Sequence, residues 1–205
     1  MKKTLFLSCL LMIVIQTIQA QSIFINSGRN LTNYKFEDPN NGSVNLQNEI
    51  GQNYEVGFMS EKKEKKNYFY SVSAGVNEYN ASGGSYSNNN LAWNNSFITL
   101  KGQGYYSLYT KDRHLFAAKA GLSLETLVHG RQQVNANSYD LLKQDEFKGL
   151  FVSPQIGVFY NFEISNNMNL HVNYDYAQHY SMKTNEQKLS IINHSLTVGF
   201  SVNIN

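Results

Sequence analysis

Of the 205 residues only one is a cysteine, Cys9, and it falls inside an N-terminal leader. Loss of that leader would leave no disulfide, no thiol nucleophile and no cysteine-ligated zinc to consider. Charge is scarce as well: Asp, Glu, Lys and Arg together make up 16% of the chain, and the formal net charge is +2. Both excess cations, Lys2 and Lys3, sit in the leader, so the remainder is neutral and carries no electrostatic case for binding nucleic acid. Beyond residue 20 no apolar run is long enough for a transmembrane helix, and no helix-period pattern of convincing length competes. A surface this poor in charge is unusual for a protein that lives in water.

The leader has the layout of a cleavable secretory signal. Lys2 and Lys3 form the positive region, Leu5 to Ile15 the apolar region, and the run TIQA ends at Ala20. Gln16, Thr17 and Gln19 interrupt the apolar stretch and keep it short of a membrane anchor. The expected organisation is therefore a signal at residues 1–20 and a single domain over residues 21–205.

What the chain has in abundance is aromatic residues, 14 Tyr and 12 Phe, set in a period-two pattern. The pattern is plainest over Leu150 to Ser181. In its first arm Val152, Pro154, Ile156, Val158, Tyr160, Phe162 and Ile164 alternate with Phe151, Ser153, Gln155, Gly157, Phe159, Asn161 and Glu163. In its second, Leu170, Val172, Tyr174, Tyr176 and Tyr180 alternate with His171, Asn173, Asp175, Ala177 and His179. Side chains of a strand leave it on alternate sides, so this is a hairpin with one apolar and one polar face. Each arm exceeds ten residues, long for an ordinary strand and suited to a tilted membrane crossing.

The same pattern predicts strands near residues 23–37, 53–60, 67–79, 97–109 and 115–128, and a last one carrying Leu196, Val198, Phe200, Val202 and Ile204 in phase. The segments between them alternate in length. Long polar loops are expected over Asp38 to Gln52, around ASGGSYSNNN, over His129 to Gly149 and over Met182 to Ser190. Short turns are expected at the EKKEKK run from Glu61 to Lys66, at Thr110 to His114 and at Ile164 to Met168. Short turns at one end and long loops at the other predict an all-β fold, an eight-stranded antiparallel up-and-down transmembrane β-barrel.

In this layout, and in strands such as HSLTVGFSVNI at the C-terminal end, the chain resembles the small porin-like bacterial outer-membrane β-barrel family of the OmpA-membrane-domain and OmpX type. It is also similar in size and layout to conjugal-transfer outer-membrane barrels. The resemblance implies an outer-membrane location and lipid as the surrounding partner.

A soluble barrel with an apolar interior would show the same alternation. Its outer face would need many Lys and Glu, whereas the polar faces here are mostly Ser, Gly, Asn and Gln, which suit a narrow lumen. Aromatics also gather at strand ends, as two lipid-interface girdles require. Phe58, Tyr68, Tyr70, Tyr106, Phe116 and Phe162 lie toward the short turns, and Tyr34, Tyr54, Trp93, Tyr176 and Tyr180 toward the long loops.

The polar faces carry Glu55, Lys101, Lys119, Glu125, Glu163 and Asp175, extended by Lys35 and Arg29. Charges in a closed lumen are costly unless paired, so a lumenal ion-pair and hydrogen-bond network that seals the barrel is expected. A gated ion path is the functional alternative. His171 and His179 share a face but lie too far apart along a strand to hold one metal ion, and no nucleophile and base stand paired at a rim. Neither a cofactor nor a catalytic residue is expected. The role expected is structural or interactive, with the long loops, His129 to Gly149 above all, meeting a protein or surface partner; a narrow channel and a lipid-modifying enzyme are the alternatives.

Overall fold

The computed structural model describes residues 20–38, 42–45, 47–60, 67–85, 89–135, 137–144, 147–182 and 188–204. The expected signal, apart from Ala20, lies outside the described residues, as does the EKKEKK turn. In chain order the strands are β1 (Ala20–Asp38), β2 (Gly42–Asn45), β3 (Gln47–Ser60), β4 (Tyr68–Ser85), β5 (Asn89–Lys111), β6 (His114–Val134), β7 (Asn137–Asp140), β8 (Leu150–Ser165), β9 (Met168–Ser181) and β10 (Lys188–Asn203). Two of these, β2 and β7, are short partners of β1 and β6. The other eight pair antiparallel with their neighbours, and β10 also pairs with β1, so the sheet closes on itself.

The closure has a measurable stagger. Stepping across paired residues from Ser22 through Met59, Ser71, Gln103, Gly121, Gln155, Ala177 and Asn193 returns to β1 at Thr32, ten residues above the start. In an eight-stranded wall that stagger tilts the strands by roughly 40° and leaves an interior that side chains can fill.

Two tight turns sit at the lower end. β5 and β6 are joined through Asp112 and Arg113, with Asp112 at a φ of 51°, a left-handed position that Asp tolerates. β8 and β9 are joined through Asn166 and Asn167. The upper end departs from expectation, because much of the sequence expected as loop is strand. β2 and the start of β3 at Gln47 fall within the expected first loop, β4 continues to Ser85, β5 begins at Asn89, and β6 runs to Val134. Ladder bonds join backbone to backbone, so polar residues can prolong a hairpin wherever their side chains meet water. Alternation marks only the stretch whose two faces differ in surroundings.

The outward face is apolar over the middle of the wall, with Ile25 at 62%, Leu100 at 54%, Leu122 at 58% and Ile156 at 62% exposure. A continuous band of such side chains is stable only under lipid, and the protein is a transmembrane barrel. Phe58, Tyr68, Tyr70, Tyr106 and Phe116 form the lower girdle, Tyr180 faces outward near the upper one, and Tyr54 faces outward closer to mid-height. Tyr34 and Trp93, expected in that upper girdle, are instead buried inside. Tyr34 has the parity of inward Asn30 and Thr32, and Trp93 that of inward Asn95 and Phe97; position along the strand suggested a girdle, but parity decides the face.

Candidate functional site

The inward face of the barrel is filled by three stacked layers. The floor, near the short turns, consists of Phe24, Met59, Phe69, Tyr105, Ala117 and Phe159, with Leu115 against them. Phe69 stacks on Tyr105 with ring centroids 4.6 Å apart, and Phe159 stands edge-on to Tyr105 at 5.0 Å. Gly57 makes room for the ring of Phe24, since a Cβ there would come 2.7 Å from Cζ of that ring. His171 closes the layer, 5.1 Å from Phe159 and hydrogen-bonded through Nε2 to Ser201 at 2.9 Å.

Above the floor lies the charged layer. Lys101 Nζ donates to Glu55 Oε2 at 3.1 Å, and Glu55 also accepts from Ser73. Lys119 Nζ donates to Asp175 Oδ2 and to Asn173 Oδ1, both at 2.9 Å. Gln103 Nε2 donates to the other oxygen of Asp175 at 3.3 Å, while its own Oε1 accepts from Tyr105 at 3.0 Å. That last bond ties the charges to the floor. Removing a buried ion's partner leaves a charge with neither water nor counter-ion, so each of these side chains depends on the others.

The roof gathers Tyr34, Tyr79, Ala81, Trp93, Phe97, Leu127, Leu141, Phe147, Phe151 and Ile191. Phe97 stands perpendicular to Phe151, and Trp93 packs edge-on to both Tyr34 and Phe147. Asn95 Nδ2 donates to the Tyr34 hydroxyl, which in turn donates to the carbonyl of Tyr79, both at 2.8 Å. Leu141 belongs to a single 3-10 turn, Leu141–Lys143, capped by Asp140, whose side chain accepts from the Leu142 amide at 3.0 Å. Gly130 admits that turn: a Cβ there would stand 2.9 Å from Cβ of Leu141.

Glu125 lies just beneath the roof. Its Oε1 accepts from Ser123 at 2.7 Å and its Oε2 lies 3.0 Å from Nδ1 of His179. Ser153 Oγ is 2.6 Å from the same Nδ1. Serine, histidine and carboxylate are thus in contact, a meeting that the sequence pattern did not reveal. A catalytic relay uses both ring nitrogens, one for the nucleophile and one for the carboxylate. Here both partners converge on Nδ1, and His179 is buried beneath Tyr79, 4.7 Å from its ring.

Of the charged residues singled out in the sequence, Glu55, Lys101, Lys119, Glu125 and Asp175 are buried in the lumen. Glu163 stands apart at the lower end, half-exposed, where its amide donates to the carbonyl of Arg113 at 2.9 Å. Arg29 points outward, contrary to expectation, because inward positions of β1 are even-numbered. The side chain of Lys35 lies outside the described residues. The partners Gln103 and Asn173 were not singled out, and His179 was weighed only as a metal ligand with His171. All three share the polar phase of their strands, which marks them as inward but not as paired.

Among solved structures the chain is similar to the outer membrane protein OprG from Pseudomonas aeruginosa, with a TM-score of 0.51 at 12% identity over 91% of this chain and 97% of that one. The chain has the fold of the small outer-membrane β-barrels. Neisserial surface protein A matches this barrel with a TM-score of 0.47 at 14% identity, covering 89% of this chain and 97% of that one. Ail, the attachment invasion locus protein of Yersinia pestis, in complex with the heparin analogue sucrose octasulfate, matches it with 0.45 at 10% identity, covering 88% and 98%. No protein-family model matches the barrel, and no curated protein does.

Proposed function

We propose that the protein is a sealed outer-membrane scaffold that conducts nothing and presents its upper hairpins to a protein or surface partner. The observation that carries this reading is the filling of the lumen: two aromatic layers enclose a layer of paired charges. A conducting path needs continuous polar surface and water, and both aromatic layers interrupt it. The charged layer then acts as a structural lock that fixes the wall strands to one another. The prolonged hairpins β1–β3, β4–β5 and β6–β7 supply the display surface, held on a rigid base, which is where recognition usually resides. Convergence of Ser153 and Glu125 on one nitrogen of a buried histidine gives a hydrolytic reading no support.

The test is a planar-bilayer recording of the purified protein. No single-channel steps are expected. Steps that persist and grow on replacing Phe159 or Phe147 with Ala would favour a gated channel and overturn the proposal. Binding of intact cells to candidate surfaces should disappear when the upper hairpins are shortened, with the barrel still present in the outer membrane.

A further inference from the structure

The lipid-facing surface is not the same all the way round. On β5, β6 and β8 the outward residues at mid-height are Leu100, Leu122, Leu124, Pro154 and Ile156, all apolar. Across the barrel, at a similar height once the strand tilt is allowed for, β9, β10, β1 and β3 present Tyr174, Tyr176, His194, Arg29, Gln52 and Tyr54 around the apolar Leu196.

Arg29 is the centre of this patch. It is exposed on the outward face of β1, opposite Leu196 on one side and Gln52 on the other. Among the described residues its guanidinium has no carboxylate or hydrogen-bond partner. It lies six residues above Ile23, roughly 15 Å up a wall tilted by about 40°, inside an apolar band about 25 Å tall. A bare cation facing hydrocarbon is destabilising, most of all at the midplane and less toward the interface. The long side chain reaches upward, but it still needs an anion at the end of its reach.

The neighbours suit that anion. His194 faces Leu31, two residues beyond Arg29, so the two side chains are diagonal neighbours across one strand pair, within about 7–8 Å. The His194 ring is positioned by the Tyr174 hydroxyl at 2.8 Å from Nδ1 and by the ring of Tyr176 at 5.2 Å. Tyr54 donates to Gln52 Oε1, which orients the Gln52 amide group beside Arg29. Glu78, on β4 beyond Gln52, accepts from the backbone amide of Gln52 at 3.2 Å. Below Arg29, Ser27 lies between Val198 and Tyr54, a small residue among large ones.

We propose that this face binds one phosphate-bearing anionic lipid of the leaflet nearest the long hairpins. Arg29 pairs with the phosphate, His194 and Gln52 donate beside it, and an acyl chain lies in the dent over Ser27. An ion pair with a planar guanidinium is the contact that phosphate geometry favours. Above Arg29 the outward Leu31 and Ile50, paired across β1 and β3, keep the wall apolar, so the headgroup meets the arginine among the polar side chains of His194, Gln52 and Tyr54.

The test uses the full purified chain in neutral detergent micelles. The micelles carry phosphatidic acid, diacylglycerol with the same chains, or inorganic phosphate alone, and native mass spectrometry reads the bound species. Phosphatidic acid is expected to be retained at least fivefold over diacylglycerol. R29L and H194F should each reduce that retention severalfold, R29K should restore part of it, and L122A on the opposite wall should leave it unchanged. R29L removes a charge from the lipid face, so heat-modifiable migration should persist and certify the fold. Equal retention of phosphatidic acid and diacylglycerol, or equal retention by R29L and the parent chain, overturns the proposal. So does inorganic phosphate binding as well as the lipid, since that would make the site one for a free anion.

Discussion

The floor and roof of the lumen are both aromatic, yet they are built from different kinds of chain. Every residue of the floor comes from a wall strand. The roof takes Leu141 from a 3-10 turn and Phe147 from the connection that follows, both on the segment between β7 and β8. A floor made of wall residues opens only if the barrel itself distorts. A roof that borrows from a connection can give way locally while the wall stands. The end toward the short turns is therefore the more rigid one, and the end toward the long hairpins is the one whose packing can relax locally.

The charged layer between them should respond most to mutation. Lys119→Ala leaves Asp175 buried without its cation and is expected to lower the unfolding free energy by about 3–5 kcal/mol. Urea titration of the folded barrel in lipid vesicles measures this. The double variant Lys119→Met with Asp175→Leu should recover much of the loss, and failure to recover would mean that shape, not charge compensation, holds the layer.

Phe159→Ala comes next, at about 3 kcal/mol, because the rings of Phe69, Tyr105 and His171 lose a shared neighbour and the wall cannot collapse to fill the gap. In the roof, Phe147→Ala should cost about 1–2 kcal/mol in the same assay, since its segment can relax. Hydrogen exchange sharpens the contrast: amides of residues 141–149 should exchange faster in this variant, while those of the wall strands stay protected. Equal losses from the floor and roof variants, with no local change in exchange, would erase the distinction between them. The smallest effect belongs to Tyr105→Phe. It removes the hydroxyl joined to Gln103 and Ser71 while keeping the ring in its stack, and about 1 kcal/mol is expected.

Much of this architecture is readable from alternation. Val152 to Phe162 and Leu196 to Val202 announce strands with unlike faces, and the parity that separates Leu100 from Lys101 also assigns lipid and lumen. Parity further implies that Phe69, Phe151 and Phe159, the aromatics out of phase with their apolar neighbours, belong inside. Which of them meet is another matter. Phe69 and Phe159 lie ninety residues apart in the chain, and only the closed register brings their rings within 5.9 Å. The upper hairpins leave little trace in the sequence because they are largely polar in both phases, and with like residues on both sides there is no period to read.

The chain by itself determined that strands would form, how many would cross, and which side of each would face lipid, because those follow from a local rule repeated along each strand. The partners inside were decided by closure. Lys119 could have met Glu55 or Asp175, and His179 could have stood alone, until the ten-residue stagger set which strand positions share a height. Pairing across a barrel depends on tilt and circumference together, and neither quantity belongs to any single strand.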